Sequence, residues 1–293
     1  MDPDDIASLA AESGFADIGA ELAALARPSL RLLATEDDAR IGASRLGGTP
    51  DLPADIGWPT PAWSQTPMGF IAQIALDQLD DTIWPGPYDG LLAFFCARSP
   101  EHGAVEGPGA ALVLHIPAEA TLERREPPAG LPGELVLRSL SVDARPELTI
   151  PGIGAGVAHA LVELGFGWDG GSRVDQHEDY IEFQHRLAEA QGFARHTPDG
   201  RWAAQHRLLG WPRQVQDDVF DDFAYMSLRA EGAPHGLKDV AARAGEWRLL
   251  LQVESDTRLG TDFADAGSLY FGLPARYLAN GRFNAVQATL QSA

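Results

Sequence analysis

The sequence has very little cysteine and no long apolar run, and each shortage excludes a class of protein. Cys96 is the only cysteine among 293 residues, so no intrachain disulfide can form and a reducing compartment is expected. No stretch reaches the roughly 18 uninterrupted apolar residues of a membrane-spanning helix. Residues 1–5 are acidic and lack the basic region of a secretory signal. We therefore expect a cytoplasmic protein without a transmembrane segment.

Positive charge is scarce as well. The chain has 22 Lys and Arg against 42 Asp and Glu, which gives a formal net charge of −20 at pH 7. Residues 1–150 hold 23 acids and 9 bases, and therefore carry −14 of this charge. Such a field repels the phosphates of nucleic acids and the surface of an anionic membrane, which disfavours both as partners. The excess of acid serves either solubility or the attraction of a basic partner.

Apolar residues are numerous enough for a large core: 45% of the chain is hydrophobic, with seven Trp and twelve Phe. The apolar patterns follow the order helix, strands, helices, strands, which predicts an α+β fold with mostly antiparallel sheet. The predicted helices are 4–26, 153–165 and 174–191. The predicted strands are a short one within 30–33, then 69–75, 91–98, 111–116, 134–142, 247–254, 268–272 and one near 284–290.

Several motifs occur twice in the same order. Each copy has a Leu-Gly motif that ends in proline, then an apolar strand that contains a glutamine, then a strand led by glycine. These features lie at 46–50, Gln73 and 90–95 in the first copy, and at 209–212, Gln252 and 267–271 in the second. The repetition predicts an internal duplication in which sheets from the two copies pack together, with helices outside.

The repeated motifs also predict the domain organisation. We expect repeat halves at about 29–142 and 200–293, with a helical insertion at about 153–192 in between. Residues 1–28 form a predicted N-terminal helical extension that packs on the domain formed by 29–293.

Taken together and in this order, the motifs resemble the YwqG-like family of uncharacterised bacterial proteins (DUF1963). The likeness extends over about 29–290 and rests on residues 44–50, 58–59, 70–74, 90–95, 209–217, 250–256 and 265–271. The resemblance implies a cytoplasmic α+β protein built on an internal duplication, without an established enzymatic activity. Some family members are thought to act as immunity proteins beside secreted bacterial toxins, which implies a basic, toxin-like protein as a partner.

The sequence has no complete catalytic or metal-binding motif, and we assign it no catalytic residue, metal or cofactor. The serine in 42–46 lacks the second glycine of a nucleophile elbow, and Cys96 lies in an apolar strand typical of a buried thiol. Glu182 and His185 have the i, i+3 spacing of di-iron sites, but a lone pair is typical of a solvated helix face. The acids of 217–222 lack the glycine of a calcium loop and predict capping of a turn or helix.

Glutamines within apolar strands are the best site candidates. A buried amide without hydrogen-bond partners costs about 1–3 kcal/mol, so both glutamines must have partners. Either they bond turn backbone and hold the two copies in place, or they face a cleft and bind a ligand. In the second case the ligand-binding residues are Gln73, Gln252, Asp256 and Asp265, with Trp58 or Trp211 as an apolar wall.

Two functions from different classes are compatible with these patterns. The first is a non-enzymatic binding protein, of the immunity type, that recognises a basic toxin or another basic partner through an acidic face. Its net charge, the family resemblance and the lack of a catalytic motif favour it. The alternative is a small-molecule or peptide-binding protein, or an enzyme, with a cleft between the two repeats. A purely structural scaffold would show neither a pocket nor a partner.

Overall fold

The computed structural model describes residues 1–37, 39–97, 109–154, 157–167, 170–261, 263 and 265–292. The strands in these ranges are β1 Arg27–Thr35, β2 Arg45–Leu46, β3 Asp51–Leu52, β4 Gly69–Ala75, β5 Leu91–Cys96, β6 Ala111–Ile116, β7 Glu123–Arg124, β8 Leu140–Thr149, β9 Arg207–Leu209, β10 Trp247–Glu254, β11 Ser268–Pro274 and β12 Gln287–Gln291. The α-helices are α1 Pro3–Ala10, α2 Gly19–Ala24, α3 His159–Leu161, α4 His177–Ala190, α5 Val219–Glu231, α6 Leu237–Ala244 and α7 Ala275–Leu278.

Ten strands form one antiparallel sheet in the order β12-β11-β10-β9-β1-β8-β2-β4-β5-β6. The long strands β1 and β8 pair at its centre, from Arg27 opposite Thr149 to Thr35 opposite Ser141. The strands on one side of this pair, β2, β4, β5 and β6, are named wing 1. Those on the other side, β9 to β12, are named wing 2. A separate two-stranded sheet joins β3 and β7.

The large sheet folds over, so that the inner faces of the two wings pack on each other. Phe94 of β5 and Phe271 of β11 touch edge to face, with ring centroids 5.4 Å apart. They belong to an apolar cluster to which both wings contribute, for example through Leu92 and Leu251. The predicted α+β fold with mostly antiparallel sheet is therefore confirmed. The two sheets that were expected to pack together are the wings of one continuous sheet, because β1 and β8 join them.

Most of the predicted strands are present. Those expected at 69–75, 111–116 and 247–254 have these bounds in β4, β6 and β10, and β5, β11 and β12 match within a few residues. Residue 98, the end of one predicted strand, lies outside the described residues. Strands β4 and β10 each contain a β-bulge two residues before their glutamine, at Ile71 and at Leu250 respectively.

The turns at the ends of β2 and β9 have the same backbone conformation. The angle φ is +61° and then +72° at Gly47 and Gly48, and again at Leu209 and Gly210. A Cβ atom at Gly47 would lie 2.2 Å from the carbonyl oxygen of Arg138, so glycine is required there. In wing 2 a leucine adopts this left-handed conformation, at a cost of roughly 1–2 kcal/mol.

The outer faces of the two wings are covered differently. Wing 2 is covered by α5 and α6, whose Phe220, Phe223 and Val240 pack on Trp247 and Leu249 of β10. Wing 1 is covered by the irregular segment 53–68. The longer covering of wing 2 accounts for the longer distance between proline and glutamine in the second copy.

The apolar patterns predict strands but no helix after residue 191, and the presence of α5 and α6 corrects this expectation. The acids of 217–222 are predicted to cap a turn or helix, and Asp218 is the N-cap of α5, accepting a hydrogen bond from the N–H of Phe220 at 2.9 Å. The apolar residues that follow this cap have helical spacing, and that part of the signal was missed.

A second group of helices packs on the edge of β8 and is named the helical lobe. It consists of α1 to α4, and its core is an aromatic cluster of Phe15, Phe166, Tyr180 and Phe183. The N-terminal helices predicted within 4–26 therefore pack against the helical insertion. The helix predicted at 174–191 is α4 with a preceding 3₁₀ turn, Val174–Gln176.

Two predicted elements differ from the structure. The helix expected at 153–165 is reduced to α3 and the π-helical turn Val162–Phe166, because glycines interrupt the segment before it. The strand expected at 134–142 is shifted to β8, 140–149, whose outer residues Asp143 and Arg145 are exposed and hide the strand pattern. In the described ranges, none of the helices has the length and apolar character needed to cross a bilayer.

Candidate functional site

Gln73 lies in the packed interior, with no exposed surface. Its Oε1 accepts hydrogen bonds from Nη2 of Arg45 and from the backbone N–H of Asp51, both at 2.9 Å. Its Nε2 donates to the carbonyl oxygen of Ala43 and to Oδ2 of Asp51, both at 2.8 Å. The amide therefore joins β4 to the turn that follows β2.

Gln252 is buried to the same extent in wing 2. Its Oε1 accepts from the backbone N–H of Arg213 at 2.9 Å, and its Nε2 donates to the carbonyl oxygen of the same residue at 3.2 Å. Nε2 also donates to Oε1 of Glu254 at 3.1 Å. Each glutamine thus binds the backbone of the residue after the proline of its motif, Asp51 in wing 1 and Arg213 in wing 2. Because both glutamines are fully buried, a ligand could reach them only if the packed interior opened.

The other four sequence-derived candidates are spread over the molecule. Asp256 is buried, and although burial opposes its ionisation, hydrogen bonds from His206 and Arg258 hold its pKa well below the usual range. Asp265 is exposed and has a positive φ of 74°. The structure does not bring either carboxylate together with Gln73.

The two tryptophans are used in packing. Nε1 of Trp58 donates to the carbonyl oxygen of Met68 at 2.8 Å, and its ring meets Phe95 edge to face on the outer face of wing 1. Nε1 of Trp211 donates to the carbonyl oxygen of Leu25 at 2.7 Å, and the guanidinium of Arg27 lies 3.4 Å from its ring centroid. Trp58 therefore holds the segment that covers wing 1, and Trp211 joins wing 2 to the end of α2 and to the start of β1.

A different set of residues surrounds a cavity of about 140 Å³, named the seam cavity. It lies where α4 of the helical lobe faces the end of β8, the middle of β1 and the segment 205–214, rather than between the two wings. None of the six candidates from the sequence lines it. Its polar lining consists of Arg31, Glu147, Thr149, Gln184, His185, Gln205, Arg207, Arg213 and Gln214.

The arginines of the seam cavity differ in their partners. Arg31 forms a buried, two-pronged ion pair with Glu147. Arg213 contacts Glu254 at 3.3 Å. Arg207 is only 5% exposed and has neutral partners, donating to the carbonyl oxygen of Trp211 at 3.2 Å and to Oε1 of Gln205 at 2.8 Å.

Arg207 is therefore a buried cation without a carboxylate in direct contact among the described residues. Its Nε–H has no hydrogen-bond partner there either. Burial in a medium of low polarity lowers the pKa of Arg207 to about 10, although the charges of Glu147 and Glu254 act in the opposite direction. A buried charge of this kind requires compensation, which an anion in the cavity would supply.

His185 lines the seam cavity, and its side chain is 13% exposed. Burial, together with the charges of Arg195 and Arg213, lowers the pKa of its imidazole. Its ring packs on the exposed Trp202 at a centroid distance of 5.3 Å. Glu182, the other member of the i, i+3 pair, is held by Arg195 through two hydrogen bonds of 2.8 Å.

No group of three or more His, Cys, Asp or Glu within the described ranges is placed to hold a metal ion.

Sequence reasoning missed the arginines because arginine is usually an exposed residue. One signal was available, since Arg45 and Arg207 each lie five residues before the proline of their motif. In the sheet each of them lies opposite the glutamine of its wing, Arg45 opposite Gln73 and Arg207 opposite Gln252. The glutamine signal therefore pointed to the right strands but not to the right side chains.

Comparison with known proteins gives a family but no activity. No curated protein matches the chain. The family model described as "Domain of unknown function (DUF1963)" matches residues 44–292, which include every strand except β1. The helices α1 and α2 precede the matched region. The chain therefore belongs to the DUF1963 family, as the order of its motifs had indicated.

Proposed function

We propose that the protein is a non-enzymatic, cytoplasmic binding protein whose functional site is the seam cavity, and that it takes a small anion. The observation that carries this proposal is the buried guanidinium of Arg207, which has hydrogen bonds to neutral oxygens only. Natural proteins seldom retain a buried charge without an opposite charge beside it, because its desolvation costs several kcal/mol. A bound anion removes this deficit.

The size of the seam cavity limits the ligand. A cavity of about 150 Å³ holds a molecule of the size of benzene, and the seam cavity has about 140 Å³. A free ligand of a few heavy atoms fits, as does the anionic end of a larger molecule.

The lining is suited to binding rather than to bond breaking. Most of its polar groups are guanidiniums and amides that donate hydrogen bonds. The carboxylate of Glu147 is held by Arg31, the hydroxyl of Thr149 accepts from the N–H of Trp211 at 2.8 Å, and the imidazole of His185 packs on Trp202. This is why we favour a binding protein over an enzyme for this site.

The test is thermal unfolding and calorimetry with sodium acetate and with inorganic phosphate, in a buffer without other small anions. Binding to the folded state raises its stability by about 2.7 kcal/mol at a ligand concentration 100 times Kd, so a rise in Tm is expected. Arg207→Met should abolish the rise. The matched control is Arg145→Met, because Arg145 is exposed on β8 and does not line the cavity. The proposal fails if neither anion stabilises the native protein.

A second candidate is recognition of a basic partner, such as a toxin, through an acidic surface. The formal charge of −20 supports it, because such a field speeds the encounter with a cationic protein. Co-purification with basic candidate toxins at low and high salt tests it. Binding that does not weaken at high salt, or no binding, would remove the electrostatic basis of this candidate.

We also propose that the two wings descend from an internal duplication. Four matched details support it: the mirrored strand order about β1 and β8, the β-bulges, the turn angles and the glutamine-to-backbone bonds. A fifth is that Phe94 and Phe271, each four residues after its motif glycine, touch each other, as equivalent residues do near a twofold axis.

The same details change where the second of the two proposed repeat units begins. The second unit begins at β8 rather than at residue 200, because β8 pairs with β2 as β1 pairs with β9. Superposition of wing 1 on wing 2 in an experimental structure tests this idea. If the strands superpose but the bulges and turns do not, convergence on a common sheet is the better explanation.

A further inference from the structure

Arg45 and Arg207 occupy matching positions, and the surroundings of Arg45 show what Arg207 lacks. Arg45 is 1% exposed, and its Nη2 lies 2.6 Å from Oδ2 of Asp51. Asp51 also accepts from Arg124 at 3.1 Å and from Gln73 at 2.8 Å. The buried cation of wing 1 is therefore neutralised by the carboxylate of Asp51, the first residue of β3.

In wing 2 the residue at the place of Asp51 is Arg213. Both residues follow the proline of their motif, and each donates its backbone N–H to the Oε1 of the glutamine at 2.9 Å. The side chain of Arg213 is 46% exposed and contacts Glu254, not Arg207. The carboxylate that wing 1 supplies from its own chain is thus missing beside Arg207, and the seam cavity is found there instead.

Given the anion-binding function proposed above, we infer that the ligand is a carboxylate, which takes the place at Arg207 that Asp51 takes at Arg45. The Nε–H of Arg207 has no partner, and each of its two NH₂ groups makes one hydrogen bond, to Trp211 and to Gln205. A carboxylate has a single charge and two acceptor oxygens, which suits the unpartnered N–H groups of Arg207 and the nearby Arg213. A phosphate has more charge than the one guanidinium without a carboxylate neutralises.

The rest of the lining indicates a short apolar body behind the carboxylate. Ile150, Ile153, Leu187 and Ala188 line the seam cavity beside the charged groups. An aliphatic chain of a few carbons or one aromatic ring matches this lining and the volume of about 140 Å³.

The experiment uses the full chain and four probes: propionate, benzoate, methyl benzoate and inorganic phosphate. Calorimetry gives their affinities, and a ¹H–¹⁵N spectrum of the arginine Nε–H groups shows whether the Arg207 signal shifts. We expect propionate or benzoate to bind and to shift this signal, with methyl benzoate at least about tenfold weaker, since a hydrogen bond to a charged group contributes about 1.5–3 kcal/mol.

Two variants separate the arginine from the space around it. Arg207→Met should weaken benzoate binding about ten- to a hundredfold. Ala188→Phe should fill the cavity and block binding while Arg207 remains. Its matched control is Ala190→Phe, because Ala190 is exposed on the same helix.

The outcomes distinguish the inference from the proposed function. If phosphate binds and the carboxylates do not, the seam cavity is an anion site but the carboxylate inference is overturned. If none of the probes binds, both fail. Equal binding of benzoate and methyl benzoate, or a benzoate complex that leaves the Arg207 Nε–H signal unmoved, also overturns the inference. These readings on the native protein stand even if a variant does not fold.

Discussion

Wing 1 and wing 2 have the same frame, but they differ in how they neutralise a buried arginine. In both wings an arginine lies opposite a buried glutamine in the sheet. In both, the side chain of that glutamine also accepts a hydrogen bond from the backbone N–H of the residue that follows the motif proline. Wing 1 completes the cluster with Asp51, which contacts Arg45 at 2.6 Å. Wing 2 has Arg213 at this place and a cavity beside its arginine. The same arrangement is therefore completed by a carboxylate in one wing, and borders a cavity in the other.

The largest difference is expected when each arginine is replaced. Arg45→Met leaves the carboxylate of Asp51 buried with only the half-exposed Arg124, and should destabilise the protein by about 3–5 kcal/mol. Arg207→Met removes a buried charge that has no carboxylate in contact, so it should cost less than half as much. Urea unfolding of both variants measures this, and equal losses would mean that the two clusters are equivalent.

The glutamines should show a smaller difference of the same sign. Gln73 makes four hydrogen bonds and Gln252 makes three, and each buried group left unsatisfied costs about 1–3 kcal/mol. Gln73→Met and Gln252→Met keep the shape of the side chain, so they isolate this cost. We expect Gln73→Met to be the more destabilising in urea unfolding. The reverse order would show that the cluster of wing 2 is the tighter one.

Acid should weaken both wings through their low-pKa carboxylates. Although burial opposes it, the hydrogen bond from Arg45 lowers the pKa of Asp51 below its usual value, and Asp256 in wing 2 is lowered by His206 and Arg258. A carboxyl whose pKa is lower when folded adds stability above its unfolded value of about 3.9, and this is lost as pH falls through the folded pKa. The urea concentration at the midpoint of unfolding should therefore decrease as the pH is lowered from about 5 to about 2.

The variants assign this acid sensitivity to each wing. Asp256→Asn should make the fall with pH shallower, because one of the groups that must be protonated is removed. Asp51→Asn should do the same, from a lower starting stability, because Arg45 loses its partner. An unchanged slope in both variants would place the acid sensitivity elsewhere.

The smallest effect concerns the contact between wing 2 and the helical lobe. Nε2 of His159 lies 2.9 Å from Asp221 at the start of α5, and this hydrogen bond raises the pKa of His159. The stability it adds is present below the unfolded value of about 6.5 and is lost as pH rises through the folded pKa. NMR titration should show the pKa of His159 fall in Asp221→Asn. The pair is half-exposed, so the change in stability should be slight.

The sequence predicted the wings better than their surroundings. Strands such as β4 and β10 were located because they are buried and therefore appear in the sequence as apolar runs between turn residues. By contrast, β8 was displaced, because its exposed Asp143 and Arg145 dilute the apolar pattern. The three-residue strand β9 is too short to have a pattern of its own.

For the site, the sequence located the repeated glutamines but not the cavity. Which strand lies beside which is decided by pairing over more than a hundred residues, such as Arg31 opposite both Arg145 and Arg207. No local pattern records this. Burial of Arg207 follows from that pairing and from the packing of α4, so only the folded chain shows that the arginine is enclosed.

The position of β1 has a practical consequence for expression of the family region. Because β1 lies between β8 and β9 but precedes the matched residues 44–292, a fragment cut at that limit would lose its central strand. The long edge of β8 and the short edge of β9 would then be left unpaired in the middle of the protein, and unpaired edges invite aggregation. Expression of this family region should therefore begin before Arg27, so that the central strand β1 is included.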